Sequence, residues 1–300
     1  MSKLFFSIII PTYNQSNYLE KAIKSVLLQK ENYEIIIIDN FSDDNTEEIV
    51  KKYKSDKFKY YKINNDGVIG KSRNLGIKNA SAPWVAFLDS DDVWHKDKLE
   101  VIENFLKKNL EFDVITNDEE ILYEGSKKKD IWKYGPYTQN FYKKLILDGS
   151  CVSTSASVVK KSFLKEKKIL FSEKKTFSSV EDYDFFLNLA FNNAKFKFFH
   201  QTLGQHLFHN KSFSRNFEMH HKALESVLYY HINSKQKFTN NKKLLTKKIN
   251  TNLSIIKAFD EIRFNKAYIK AFTILLKNFL INPLYLMLRI IKKLYLKFET

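Results

Sequence analysis

The sequence predicts an α/β fold: a mostly parallel sheet with helices on both faces, followed by a basic helical C-terminal region. Three observations predict it. Four apolar runs, at 5–10, 33–38, 58–63 and 84–88, each end in a polar or acidic cluster. Helix-period segments separate these runs and no tight hairpin joins them, which is the pattern of parallel strands linked by crossover helices. The charge is also lopsided. Of a net +16, most lies after Leu224, where fifteen lysines and arginines face only Glu225, Asp260, Glu261 and Glu299.

Met1 to Ile10 has the outline of a short leader, with Lys3 before an apolar run. The run is short, lacks a small-residue cleavage site and meets Pro11, so Phe5 to Ile10 reads as a first buried strand. Pro11-Thr12-Tyr13-Asn14 makes a turn. Asn17 is expected to cap the next helix, with Glu20 three residues on as in a capping box. Leu19, Ala22, Ile23, Val26 and Leu27 would form its buried face. Tyr33 to Ile38 is a second strand, ending at Asp39, and a second helix is expected from Ser42 through Ile49, Val50 and Tyr53. Phe58 to Ile63 is a third strand, Asn64 to Gly70 a turn-rich loop, and about Lys71 to Ala80 a third helix.

Pro83 then precedes the stretch on which the chemistry rests. The apolar strand Trp84-Val85-Ala86-Phe87-Leu88 runs straight into Asp89-Ser90-Asp91-Asp92. Carboxylates are seldom buried without a partner, so this strand should open on a surface crevice. Asp89 and Asp91 offer hard oxygens suited to Mn²⁺ or Mg²⁺, and no Cys or His stands among them to suggest zinc. In parallel sheets ligands bind beyond the carboxyl ends of the strands. The clusters Thr12 to Asn14, Asp39 to Asp44, Asn64 to Gly67 and Asp89 to Asp92 should therefore converge on one crevice. No G-x-G-x-x-G follows the first strand and no complete G-x-x-x-x-G-K-[ST] loop occurs, since Gly70-Lys71-Ser72 has Asn65 where the first glycine would stand; this argues against dinucleotide and P-loop chemistry. Acidic metal ligands without a glycine cradle suit a diphosphate held through its metal.

The second half carries fewer signals. Phe112 to Thr116 and Glu120 to Tyr123 read as strands, and Gly125 to Asp130 as a charged loop. The small residues from Ser150 to Ala156 leave room for a ligand or allow close packing; the sequence leaves both open. Glu181 and Asp182 open a helix running through Phe185, Phe186, Leu189 and Ala190, a place where acids also serve the helix dipole. His206 and His209 fall in a third polar stretch that continues through Asn210, Lys211 and Ser212.

From Phe217 onward the pattern is helical. Lys270, Lys277 and Pro283 interrupt the apolar residues after Ala267, and the uncharged stretch from Asn278 to Leu288 is too short to span a bilayer. Arg289, Lys292, Lys293 and Lys297 fall on one face of the last helix, opposite Ile290, Ile291, Leu294, Tyr295 and Phe298. That suits a helix lying in a membrane interface; docking on the core or on a second copy is the alternative. Cys151 is the only cysteine, so no disulfide framework exists and a reducing compartment is expected.

Residues 5 to 100 resemble the nucleotide-sugar half of a family 2 glycosyltransferase with the GT-A fold. Four ordered stretches carry the resemblance: Ser7 to Asn14, Ile38 to Thr46, Lys71 to Ile77 and Phe87 to Trp94. It implies a GT-A domain over residues 1–215, with a nucleotide-sugar half at 1–100 and an acceptor half at 101–215, followed by the helical region 216–300. It implies that Pro11, Thr12 and Tyr13 line the base pocket and that Asp39 bonds the base or ribose. Arg73 would lie over the nucleotide or its phosphates, Asp89 with Ser90 on the ribose side, and Asp91 on a divalent cation between the phosphates. Asn40 departs from the second Asp common there. The Glu181-Asp182 pair matches the family's Glu-Asp motif, with Asp182 as the base and Glu181 in support. His209, rather than His206, matches a histidine that completes the metal site. No Q-x-x-R-W marks the chain as processive.

The resulting expectation is inverting, non-processive transfer of one sugar from a nucleoside-diphosphate sugar, a UDP-sugar first, to a saccharide acceptor. A lipid-linked acceptor in surface-polysaccharide assembly, a cytoplasmic place on the inner face of the membrane, and a possible homodimer complete it. Two other readings compete. A nucleic-acid-binding protein would use the basic tail, but recognisable modules and a basic stripe interleaved with stacking aromatics are missing, so no nucleic-acid partner is expected. A sugar nucleotidyltransferase would need a glycine-rich loop where Pro11-Thr12-Tyr13-Asn14 stands.

Overall fold

In the computed structural model the backbone is described for residues 4–30, 32–53, 55–209 and 217–298, and side chains for the same residues except 263, 264 and 292–298. The strands are β1 (Phe6–Thr12), β2 (Tyr33–Asp39), β3 (Phe58–Lys62), β4 (Trp84–Phe87), β5 (Val93–Trp94), β6 (Val114–Tyr123), β7 (Lys129–Trp132), β8 (Val158–Lys160) and β9 (Phe196–Phe208). The helices are α1 (Ser16–Leu27), α2 (Thr46–Lys52), α3 (Ile69–Asn79), α4 (Lys98–Leu106), α5 (Phe141–Asp148), α6 (Lys161–Lys167), α7 (Glu181–Phe191), α8 (Phe217–Ser234), α9 (Lys242–Asn265), α10 (Tyr268–Ile281) and α11 (Pro283–Phe298). Two compact units form: Met1–Gln139 with Cys151–Ser212, and Asn140–Ser150 with Phe213–Thr300.

The first unit is built on one sheet, in the order β3-β2-β1-β4-β8-β6-β9-β5, with β7 paired to β6. The first four strands are parallel, and their register sets Thr12 opposite Asp39 and Asp39 opposite Lys62, so the strand ends lie together. Every residue of β1, β2 and β4 is buried, because helices cover both faces; that is why these strands read as unbroken apolar runs. Leu19, Ala22, Ile23 and Val26 of α1 pack with Ile8, Ile10, Ile35 and Ile37. Gly76 of α3 lies directly on Ile9, and a Cβ there would collide with the isoleucine side chain.

Three local expectations are corrected. α1 starts at Ser16 without the Asn17–Glu20 capping box: the Ser16 N–H donates to Asp44 Oδ2 at 2.9 Å, and Glu20 accepts from the Tyr53 hydroxyl instead. Leu27 is 41% exposed and leaves the buried face. α2 starts at Thr46 rather than Ser42, because Ser42 is turned toward Asp39 while Asp44 accepts from Thr46 N–H and hydroxyl.

Beyond β4 the sheet turns mixed. β8 is antiparallel to both β4 and β6, β6 is parallel to β9, and β5 is antiparallel to β9. β6 joins the two strands expected between 112 and 123, and β7 forms at the end of the expected charged loop. β9 is thirteen residues long, and register shifts near Asn117 and Asp118 break the alternation that would have announced it.

In the second unit α9 is the central helix, packing against α5, α8, α10 and α11. Leu245, Ile249, Ile255 and Ala258 of α9 and Ala223, Val227, Leu228 and Ile232 of α8 are buried. Asn241 caps α9 by accepting from Leu244 N–H at 2.9 Å. Arg289 pairs with Asp148 at 2.5 Å, and so is not part of an open basic face; the expected partners on that face, Lys292, Lys293 and Lys297, and Leu294, Tyr295 and Phe298 opposite them, have side chains outside the described residues. No helix among the described residues is long and apolar enough to cross a membrane.

Candidate functional site

The first three strand-end clusters are hydrogen-bonded into one another, and the fourth is tied to Gln15, just past the first, and to Ser155. Asn14, in a left-handed turn with φ 50, donates its N–H to Ser42 Oγ at 2.9 Å and accepts from Asp43 N–H at 3.0 Å. Asn40 accepts from Asn65 N–H at 2.8 Å, so the residue that departs from the family pattern ties the second cluster to the third. Ser90 donates its hydroxyl to Gln15, and Asp89 donates its N–H to Ser155 Oγ at 3.0 Å, fixing the fourth cluster. Ser155, in the small-residue run, also accepts through its carbonyl from Trp94 and Lys98, both at 2.8 Å; that run is packed backbone.

Asp39 is fully buried, and its bonds are internal. Oδ1 accepts from Ser42 N–H at 2.9 Å and from its hydroxyl at 2.6 Å, and Oδ2 accepts from the Tyr60 hydroxyl at 2.6 Å. Burial and the facing Asp39 carboxylate push the Tyr60 phenol well above its usual range. Next to it in register, Thr12 is buried with a hydroxyl oxygen that finds no partner among the described residues, while Pro11 is buried and Tyr13 is 56% exposed.

Arg73 lies at the centre of the acidic side. Its Nη1 donates to Glu181 Oε1 at 2.9 Å and its Nη2 to Asp89 Oδ1 at 2.7 Å, with the guanidinium 5.2 Å from the Phe171 ring. Burial alone would lower the Arg73 pKa; Asp89 and Glu181 outweigh it and raise the value. Burial holds the Glu181 carboxyl above its ordinary value against the pull of Arg73, and its Oε2 has no partner among the described residues. Asp182 is half-buried and near enough to act on the charge of both Arg73 and Glu181. α7 begins at Glu181, so both acids stand on its first turn.

At the other end of the loop, Asp91 Oδ2 lies 2.8 Å from His209 Nε2. The imidazole is buried and stacked on Tyr18, with ring centres 4.7 Å apart. Tyr18 donates to Glu124 at 2.5 Å, and that bond together with burial lifts its phenol to about 12. A carboxylate oxygen and an imidazole nitrogen meeting at one point are two donors of the kind that could hold Mn²⁺ or Mg²⁺. No group of three or more Cys, His, Asp or Glu among the described residues forms a closed cage. Asn210, Lys211 and Ser212, beyond His209, lie outside the described residues.

A pair that sequence reasoning missed lies beneath this loop. Asp92, named from the sequence only as the end of the fourth strand-end cluster, is 1% exposed; its Oδ1 lies 3.0 Å from His206 Nδ1 and accepts from Leu207 N–H at 3.1 Å. Burial would lower the His206 pKa, but Asp92, with Glu119 and Asp91 behind it, raises it to about 10. Glu119 is buried and accepts from the Tyr134 hydroxyl at 2.8 Å. Lys98 is fully buried, with its ammonium 4.5 Å from the Trp94 ring, and burial lowers it to about 7 against Glu119 and Asp92. The available signal was Asn117-Asp118-Glu119-Glu120, four polar residues inside a strand.

A family model described as Glycosyl transferase family 2 matches residues 7–166. The chain is 37% identical over 201 residues to the poly(ribitol-phosphate) beta-N-acetylglucosaminyltransferase TarP of Staphylococcus aureus, covering 63% of this chain and 58% of TarP. Its fold is similar to S. aureus TarS 1–349 in complex with UDP-GlcNAc, with TM-score 0.65, 20% identity, and 89% and 79% of the two chains covered. It is also similar to a mannosyltransferase of Pyrobaculum calidifontis in complex with GDP-Man and Mn²⁺, with TM-score 0.61, 13% identity, and 92% and 75% covered. These are structures of the GT-A kind, in agreement with the fold class read from the sequence. The matches to three glycosyltransferases of Rickettsia species span only 17 to 20% of those proteins' length.

Proposed function

The chain belongs to glycosyl transferase family 2, and from that premise we propose that it moves one sugar from a nucleoside-diphosphate sugar to a saccharide acceptor with inversion. The contact of Asp91 and His209 at 2.8 Å carries the reading, because it brings a second cation ligand, from just past β9, to the loop that also bears Asp89, the partner of Arg73. UDP-sugars are the first choice of donor, in line with TarS, and GDP-sugars the second, in line with the mannosyltransferase. Pro11, Thr12 and Tyr13 would border the base, with the buried Thr12 hydroxyl available to it. Asp39 acts there through Ser42 and Tyr60, by fixing the loop under the nucleoside.

Arg73 holds Asp89 and Glu181 in fixed positions. Glu181 is engaged by that cation, and Asp182, the residue that matches the family's base, takes the proton of the acceptor hydroxyl as the oxygen attacks the anomeric carbon opposite the diphosphate. Asp91 and His209 would hold Mn²⁺ or Mg²⁺, and the chemistry the cation would supply there is neutralisation of charge on the departing diphosphate. In this reading residues 1–215 are the catalytic domain and 216–300 an attachment region. A screen of donor hydrolysis across UDP-, GDP- and dTDP-sugars with Mn²⁺ or Mg²⁺ tests it. Release of nucleoside diphosphate that Asp91→Asn abolishes is the expected result; pyrophosphate release, or no hydrolysis of any donor, overturns it.

A second part of the proposal concerns place. Leu280, Leu284 and Leu288 are 78%, 73% and 57% exposed on α10 and α11, in a unit rich in lysine. That combination supports peripheral binding to an anionic membrane face, where a lipid-linked acceptor would be met.

A further inference from the structure

We propose that Asp92 and His206 are positioning residues that set the distance between the two cation ligands; the inference rests on reading Asp91 and His209 as those ligands. β5 is only two residues long, and it pairs Trp94 with Gly204 and Val93 with Gln205. There the backbone ladder between β5 and β9 stops, yet the two segments stay together through the last three residues of β9 and His209 just beyond it. The Asp92 carboxylate continues the ladder. Its Oδ1 accepts the Leu207 N–H at 3.1 Å, as a strand carbonyl would, and it engages the His206 ring at 3.0 Å. One step further on, Asp91 meets His209 at 2.8 Å.

The alternation is regular. Neighbouring acids of the loop meet histidines three apart, His206 on β9 and His209 just past its end, and the inner pair is the buried one: Asp92 is 1% exposed, against 18% for the Asp91 side chain. His206 is braced on its face by Trp132 of β7, with ring centres 5.7 Å apart and 22° between planes. Its position is therefore fixed by a strand on each side of the contact. A buried carboxylate bound to a backbone N–H and a braced imidazole has little room to move. It transmits that rigidity through a single peptide link to Asp91. Without it, the β5–β9 ladder and the Asp91–His209 contact, which the cation itself must use, would have to hold the Asp91 loop to the end of β9.

The test is a titration of Mn²⁺ in the presence of UDP, followed by calorimetry, on the full chain. His206→Phe keeps the ring against Trp132 and removes the bond to Asp92; His206→Asn restores a donor. The expected result is a Mn²⁺ midpoint for UDP binding raised roughly 10–100-fold in His206→Phe, the usual scale for groups that orient a metal ligand. UDP affinity at saturating Mn²⁺ should be unchanged, and His206→Asn should recover part of the shift. A merely structural role would lower the melting temperature and the bound fraction without moving the Mn²⁺ midpoint. Asp91→Asn separates the two claims. If it leaves Mn²⁺-dependent UDP binding intact, the reading of the cation site fails. If it abolishes binding while His206→Phe titrates like the unaltered protein, the positioning proposal is overturned. Should His206→Phe fail to fold, Asp92→Asn, which keeps an acceptor for Leu207 and loses the charge, takes its place: a raised Mn²⁺ midpoint supports the proposal and an unmoved one overturns it.

Discussion

In the first unit Ile8, Ile9 and Ile10 of β1 and Ile35 to Ile38 of β2 are all 0% exposed, whereas α10 in the second unit buries Ala271 and leaves Ile269 84% and Leu280 78% exposed. Charge divides as sharply. The second unit holds nineteen lysines and arginines against six acids, the first thirty-one against twenty-eight. The near-neutral unit sets a group of acids at the strand ends, and the basic unit displays apolar side chains beside its cations. Apolar content alone therefore says little about a region; what matters is whether a second layer exists to cover it. A sheet with helices on both faces supplies that layer, and among the described residues none covers the outer side of α10 and α11.

The comparison can be broken at its chemical end first. Asp182→Asn should retain donor binding and lose transfer by about 10²–10⁴ in kcat. Substitutions in α10 or α11, such as Leu284→Ser, should leave donor hydrolysis untouched. Steady-state kinetics decide this, and an equal loss from both kinds of change would end the division of labour.

The next effect is on stability. Arg73→Met strands Asp89 and Glu181 without their cation, at a cost of about 3–5 kcal/mol in urea unfolding. Arg289→Met in the second unit, whose pair with Asp148 is more open, should cost about 1 kcal/mol or less. Similar values would mean that the two ion pairs are alike after all.

A subtler contrast lies inside the first unit. His206, raised to about 10 from 6.5, contributes stability that is complete below pH 6.5 and lost as pH climbs to about 10. Lys98, lowered to about 7 from 10.5, does the reverse: between those values only the unfolded chain holds the proton, so stability rises with pH. The two slopes oppose each other, and the unaltered protein should be nearly level between pH 7 and 10. Lys98→Met should then lose stability across this range, and His206→Phe should gain it. Melting temperatures at stepped pH check the pair, and parallel curves for the two variants would refute it.

The smallest effect is expected where the apolar surface is exposed. Leu284→Ser with Leu288→Ser should change stability by no more than about 0.5 kcal/mol per site. The same change should weaken salt-sensitive co-sedimentation with anionic vesicles. A full chain that stays in the supernatant at low salt would remove the membrane from the account.

The parallel half was legible because buried strands between helix layers are continuous apolar runs, and each run stops where its polar cluster begins. What stayed hidden depended on partners distant in sequence. The α1 cap comes from Asp44, 28 residues away, where a local rule pointed to Asn17 and Glu20. Arg73 meets Glu181 across 108 residues, and Asp92 meets His206 across 114. No periodicity reports such contacts. His209 was singled out through the family resemblance alone; the residues themselves named no partner for it.

Chain reach gives the loop one more consequence. β4 and β5 follow one another in sequence, yet β8, β6 and β9 lie between them in the sheet. On a flat sheet, four steps of about 4.8 Å would set them roughly 19 Å apart. The span from Phe87 to Val93 would need every bond fully extended, at about 3.4 Å per residue, to cover that distance. It is not extended, because Asp92 N–H closes a turn onto the Asp89 carbonyl at 3.1 Å. The tether is too short for a plane, so the sheet has to roll until its far edge returns toward its middle. Asp89, Ser90 and Asp91 are thereby strung across the hollow of that roll rather than along its rim. A residue inserted between Leu88 and Asp92 would slacken the string, and the hollow would open.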